Sequence, residues 1–382
     1  MHAPGEPGGG RVLHLVLPGG PVAGPALSLR PGRWSQGSRR SVTGADAAVW
    51  ACAAAIAAAP QHHHRVCVFG GNDAGRRAAR LGLTAQLRVA PPFSRPELAA
   101  AAVWGVLTDG PAPEIVQCWG GDFAPLRDRV APRTPGSTWM IVDLHAGVLE
   151  VRDHATPHDP LTQALTAWLP PVAPVGDASA LRARLAAPEG SLLVTVVGDP
   201  PEALDAVPVL YALSILHVAG VRATLVLPRG CGQFDRALRH VQRGGYVHGL
   251  RVTDEPLSEV APACDVGVCV ARSWSESEAL TEPAFSTKLA VARAAGQGLP
   301  VLIPSSAWAE QLLPIGAHAC LTPSADHAAI AKRVFALLEH EGRPLRACRA
   351  ELLARSVTAP ARGMTDEVTG AWQRVLARRR GG

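Results

Sequence analysis

Hydrophobic and polar positions alternate along this chain between two kinds of segment. Short apolar runs bounded by Gly or Pro read as strands buried on both faces, and longer stretches with helical spacing lie between them. The first run is Arg11 to Leu17 (RVLHLVL), closed by Pro18-Gly19-Gly20. His64 to Phe69, Glu114 to Trp119 and Thr138 to Leu144 repeat the pattern, and each opens into a glycine-bearing loop. Ala45 to Ala59 and Pro96 to Thr108 supply helices among them. In the second half the strands are Leu192 to Val197, Arg222 to Leu227, Tyr246 to Val252, Val266 to Ala271 and Val301 to Ile303. Helices at Ala203 to Ala219, Phe234 to Arg243 and Pro256 to Ala263 separate them; Asp326 to Glu341 and Thr365 to Arg380 add two more.

Strict β/α alternation in both halves predicts an α/β protein with two doubly wound parallel sheets. At 382 residues the chain exceeds one ordinary core. Leu169 to Val175 (LPPVAPV) leaves no room for a helix and reads as a linker. The expected organisation is a disordered leader at 1–10, an N-terminal Rossmann-like domain at 11–170, a C-terminal one at 171–360, and a helix and tail at 361–382. Residues Pro21 to Gly44 carry no periodicity, and a loop of that length is functional or mobile.

Composition narrows the partners. Hydrophobic residues at 47% against charged residues at 18% describe a folded chain. The net charge of +5 comes from dispersed Arg without interleaved aromatics, so nucleic-acid binding is not expected. Eight Cys lie without a CxxC pair, several inside apolar runs as Cys67 and Cys269 do, and read as small core hydrophobes in a reducing cytoplasm. No charged-then-apolar leader and no long uncharged apolar run occurs, so no transmembrane segment is expected.

Candidate chemistry concentrates between Asp254 and Ile303. A polar loop with Glu276, Glu278 and Glu282 follows the run Val266 to Ala271, and a helix then opens at Ser286-Thr287-Lys288. Helix starts at the carboxyl edge of parallel strands gather phosphates. Ser286 and Thr287 serve equally as a plain N-cap. Lys288, one of two lysines, is either a ligand contact or a solvated helix start. Gly19-Gly20 permits close backbone approach or forms an ordinary turn. His145, Asp143 and Asp122 sit at strand ends, where a lone His is structural by default. His62-His63-His64 lacks further ligands at metal spacing and reads as a solvated loop.

The order of these pieces resembles the GT-B nucleotide-sugar glycosyltransferases, and most of all their retaining family labelled glycosyl transferases group 1. The resemblance is carried by LPPVAPVGDASALRARLAAPEGSLLVTVVGD, RVTDEPLSEVAPACDVGVCVA and EPAFSTKLAVARAAGQGLPVLI, and more loosely by RVLHLVLPGG, EIVQCWGGD and IVDLHAG. It implies two Rossmann-like domains facing across a cleft, with a nucleotide-diphosphate sugar held mainly by the C-terminal domain. The sugar would pass with retention to an unknown acceptor (glycan, lipid or small molecule). No metal and no cofactor beyond the donor substrate is implied, and no Asp-x-Asp or His/Glu cluster stands ready for one.

Carried onto this chain, the resemblance makes His145 and Glu282 catalytic candidates. His145 would bond a hydroxyl or share a proton, and Glu282 would accept from sugar or ribose hydroxyls. Gly19, Gly20, Arg229, Ser286, Thr287 and Lys288 would hold the donor. Two departures stand against this. The family's second Glu falls on Arg293 counting back from Pro300, or on Val291 counting forward from Lys288. The loop GDPPEALDAV also offers Asp199, Glu202 and Asp205 where the family places Arg and Lys, and acids there repel a diphosphate. A non-catalytic relative that binds a nucleotide, a glycan or a protein therefore stays open beside the transferase. A nucleotide-sugar epimerase of the same shell is the third reading, and it lacks the carboxylate and His groupings it needs.

Overall fold

The structure, a computed structural model, describes residues 9–17, 46–70, 75–76, 78–79, 83, 87–90, 96–120, 123–144, 147–152, 161–165, 178–198, 204–228, 231, 234–244, 249–253, 260–270, 285–324, 326–358 and 363–381. The chain divides into two compact units, Met1–Ala164 with Gly370–Gly382, and Leu165–Thr369. In unit 1, β1 (Arg11–Val16), β2 (His63–Phe69), β3 (Leu87–Ala90), β4 (Ile115–Trp119) and β5 (Thr138–Asp143) run parallel. β6 (Val148–Arg152) and β7 (Leu161–Ala164) then add antiparallel, completing the order β3-β2-β1-β4-β5-β6-β7. These two strands depart from the expected all-parallel sheet. They lie at an edge, β7 is largely exposed, and neither carries the continuous apolar run that marks a doubly buried strand. Helices α1 (Asp46–Ala58), α2 (Pro96–Thr108) and α3 (Ala124–Val130) belong to unit 1. α2 and α3 cover the face carrying Leu13, Leu15, Cys67, Phe69, Val116 and Cys118.

Unit 2 holds β8 (Leu192–Val196), β9 (Ala223–Pro228), β10 (Leu250–Thr253), β11 (Val266–Val268), β12 (Val301–Pro304) and β13 (Leu321–Thr322). All are parallel, in the order β10-β9-β8-β11-β12-β13. The helices are α4 (Ala178–Arg184), α5 (Val207–Val218), α6 (Phe234–Gly244), α7 (Phe285–Gly296), α8 (Ala307–Leu312) and α9 (His327–Thr358). α10 (Met364–Gly381) closes the chain. α5 starts later than its apolar pattern because the Asp205 carboxylate accepts the Val207 amide at 2.9 Å and Pro208 occupies the first turn. α9 breaks at Glu339–Gly342, where His340, Glu341 and Gly342 take positive φ, and Pro344 follows.

Two sequence signals in unit 2 prove to be joints. Arg182 of α4 reaches the Ala263 carbonyl at 2.9 Å and Asp265 at 3.2 Å, while Asp265 accepts the Leu193 amide at 2.8 Å. The charge pair thus fastens α4 to the amino edge of β8 and β11. At the end of α7, the Leu299 amide donates to the Ala294 carbonyl and the Gly298 amide to that of Ala295. This 6→1 and 5→2 pattern needs the left-handed residue Gly298, at φ +79. A Cβ there would also meet Leu353 at 2.8 Å. The eight cysteines are buried and free; the Sγ atoms of Cys320 and Cys348 lie 3.0 Å apart.

The other face of the unit-1 sheet contains a buried polar chain. His14 is wholly buried in the middle of β1. The Trp119 indole N–H, which can only donate, reaches His14 Nδ1 at 3.1 Å. His14 must then carry its proton on Nε2, which donates to His64 Nδ1 at 2.9 Å. His64 Nε2–H in turn donates to the Ala59 carbonyl at 2.8 Å. Every ring nitrogen has one partner, and each ring is neutral. His64 therefore belongs to the interior, a correction to the solvated-loop reading of His62 to His64; β2 starts at His63. α10 seals the cluster. The Trp372 ring stands edge-on to His14 at 5.4 Å, and its Nε1–H donates to Gln117 Oε1 at 2.8 Å. Arg379 of the same helix binds Thr138 Oγ1 at 2.9 Å and the Gly136 carbonyl.

Burial, helped by the facing His64, holds the His14 imidazole well below its ordinary 6.5; burial also lowers His64 against the bond to Ala59, which raises it. Below pH 6.5 the unfolded imidazoles take protons that the folded ones refuse. Stability is therefore complete above that pH and is lost as pH falls, by about 1.4 kcal/mol per pH unit for each imidazole kept neutral. Thermal melts should show the midpoint falling between about pH 7 and pH 5. The fall should shrink in His14→Gln; an equal fall in that variant would remove His14 from the account. Trp372→Phe leaves Gln117 Oε1 buried without its donor and should cost about 1–3 kcal/mol in denaturant unfolding.

Candidate functional site

In unit 2 every β-to-α loop leaves the sheet at one edge, because all six strands are parallel. β8 and β11 are neighbours at its centre. Their exits meet there, with the Asp205 amide donating to the Val270 carbonyl at 3.1 Å. α7 begins beside them. Its first turn carries Phe285, Ser286 and Thr287, all buried, and Lys288, half-buried. A Cβ built on Gly198, at the exit of β8, would stand 3.4 Å from Thr287 Cγ2 and 2.5 Å from Leu204 Cδ2. The β8 loop thus runs against the start of α7, a backbone approach that only glycine allows.

Among the described residues, Lys288 and Asp205 are charged groups close to this edge. The Lys288 ammonium stands 5.8 Å from the centre of the Trp308 ring, on the neighbouring α8. Asp205, one of the acids standing where the resembled family places Arg and Lys, spends a carboxylate oxygen on the start of α5. Burial pushes the Cys269 thiol, just past β11, up to about 12. It stays protonated at neutral pH, which excludes a thiolate nucleophile there. Burial likewise pushes Cys264 up, seconded by the adjacent Asp265.

Of the sequence-derived candidates, Ser286, Thr287 and Lys288 come together on one helical turn. Gly19, Gly20, His145, Arg229 and Glu282 lie outside the described residues, as do Asp122, Asp199 and Glu202. Val291 and Arg293, the alternative positions for the resembled family's second Glu, are both buried within α7, Arg293 at 5% exposure. Gly198 was missed as a contributor to this edge. Its signal was present in the glycine that ends the apolar run LLVTVV.

No protein-family model matches the chain, and no curated protein matches it in sequence. Solved structures do. A glycosyltransferase from Rickettsia africae superimposes with a TM-score of 0.56 at 8% identity, covering 96% of this chain and 99% of that one. A protein described as a UDP-N-acetylglucosamine 2-epimerase from Listeria monocytogenes gives 0.52 at 12%, with 97% of each chain covered. The UDP-GlcNAc 2-epimerase from Neisseria meningitidis, solved with UDP-GlcNAc bound, gives 0.47 at 11%, covering 91% of this chain and 97% of its own. The fold is that of the GT-B proteins, and it is shared by transferases and epimerases alike.

Replacing Gly198 with Ala should force Leu204 or Thr287 to move, at about 1–3 kcal/mol in chemical denaturation. Unchanged stability would show that the two segments are not held together.

Proposed function

We propose that the protein is a glycosyltransferase that moves a sugar from a nucleotide-diphosphate donor to an acceptor with retention. The donor diphosphate would sit at the carboxyl edge of the unit-2 sheet. The observation that carries this reading is the first turn of α7, where Ser286, Thr287 and Lys288 share one turn and Thr287 meets the β8 exit at Gly198. Helix amides and one ammonium there supply fixed positive charge for a leaving diphosphate. Catalysis of this kind rests on orientation and on stabilising the departing phosphate more than on a strong base. His145 and Glu282 are proposed as the groups nearest the transferred sugar, and Gly19, Gly20 and Arg229 as further donor contacts.

One observation favours a second reading. Val291 and Arg293, the alternative positions for the second Glu of the resembled family, are both non-acidic, so that carboxylate is missing from α7. A GT-B relative that binds nucleotides without turning them over would have this composition.

Calorimetry and thermal shift with UDP, GDP and ADP, followed by a hydrolysis screen of their sugars, separate the readings. Binding with turnover supports the transferase, and binding without turnover supports the non-catalytic relative. No stabilisation by any nucleoside diphosphate removes both. Lys288→Ala should weaken nucleotide binding by about 10- to 100-fold, the loss of one charge-assisted contact, with the melting temperature nearly unchanged. Equal affinity in that variant would return Lys288 to the role of surface charge.

A further inference from the structure

Away from the edge just described, α5 and α6 lie side by side and run in the same direction, since each follows a strand of the parallel sheet. Their outward faces are unlike. α5 (VPVLYALSILHV) carries no Asp, Glu, Lys or Arg. A surface helix ordinarily turns a polar face to water. α5 instead exposes Tyr211 at 44%, Ile215 at 39% and Val218 at 84%. Their spacing, i, i+4 and i+7, makes one stripe about 10 Å long. α6 (FDRALRHVQRG) has the complementary character. Arg236, Arg239 and Arg243 recur at i, i+3 and i+7 with Asp235 as the one acid on the helix. Among the described residues none of these three arginines has an ion pair.

Between the helices lies a cavity of about 520 Å³ lined by Val207, Tyr211, Arg236, Arg239, His240 and Arg243. The Tyr211 and His240 rings meet edge-on at 4.5 Å. His240 Nε2 is enclosed and has no hydrogen-bond partner among the described residues. An open basic cavity beside an exposed apolar stripe has two chemical demands: an anion for the guanidiniums and an apolar phase for Tyr211, Ile215 and Val218. A soluble phosphate meets only the first. An anionic lipid surface meets both, the headgroup phosphates seating on the arginines and the acyl boundary receiving the stripe.

We propose that the α5–α6 face of unit 2 docks on an anionic lipid bilayer, with a lipid phosphate held in the cavity by Arg236, Arg239 and Arg243. Docking of this kind is reversible, salt-sensitive and independent of the edge at α7.

The test is co-sedimentation of the full chain with vesicles of pure phosphatidylcholine and of equal parts phosphatidylcholine and phosphatidylglycerol. Binding is expected to the second only, and to weaken as salt rises. The triple variant Arg236→Gln, Arg239→Gln, Arg243→Gln should lower partitioning by at least about tenfold, whereas the three Arg→Lys changes should retain most of it. Ile215→Ser with Val218→Ser should lower it several-fold at every salt concentration. All these positions are at the surface, and circular dichroism checks that each variant is folded. The proposal is overturned by absence of binding to the anionic vesicles, or by binding that the Arg and apolar variants leave unchanged. It is also overturned if the arginines bind inorganic pyrophosphate in calorimetry while vesicles do not bind, which would make the cavity a site for a soluble phosphate.

Discussion

A parallel strand cannot be joined to its neighbour by a short turn; the chain must cross back over the sheet, and it does so with one hand. Unit 2 obeys this constraint six strands in a row. Each crossing places a helix on a face of the sheet, aims its first turn at one edge, and buries the strands on both sides. The apolar strands, the shared direction of α5 and α6, and the meeting of Gly198 with Thr287 all follow from it. Unit 1 obeys the same rule through β5 and then departs from it, turning back in the antiparallel strands β6 and β7.

That constraint explains what could be read from the residues alone. Doubly buried strands such as LLVTVV and IVQCW are continuous apolar runs, so these were legible, whereas the short parallel strands β3 and β13 were not. β6 and β7 were not, because a half-exposed edge strand such as LTQA has no such signature. The placement of Ser286, Thr287 and Lys288 at a helix start was legible from the loop before them. The gathering of His14, His64, Trp119 and Trp372 was not. Strand spacing can show that His14 interrupts an apolar run, but the partners that make this tolerable come from three distant segments. His62 to His64 looked like a solvated triplet for the same reason.

Two pieces of the motifs that carry the resemblance serve the architecture. The Asp of the Cys264-Asp265 pair binds an amide of β8 and the guanidinium of Arg182, and Gly298 lets the chain leave α7 toward β12. Both recur in the resemblance to GT-B transferases, and both are demands of the fold itself. The solved structures that superimpose on the chain include a transferase at 8% and an epimerase at 12% identity. Val291 and Arg293 stand inside α7 at the two alternative positions for the resembled family's second Glu, and neither is acidic.

The bond from Trp372 to Gln117 spans 255 positions of sequence. During synthesis the chain emerges from its amino end, so β1, β2 and β4 exist long before α10 does. Until those last residues are made, the face bearing His14 and His64 has no Trp372 over it, and all of unit 2 is made in the interval. Unit 1 is thus first to be translated and last to be finished. A ribosome that stops before Trp372 would release a chain whose second sheet is complete and whose first still opens an unsealed polar seam to water.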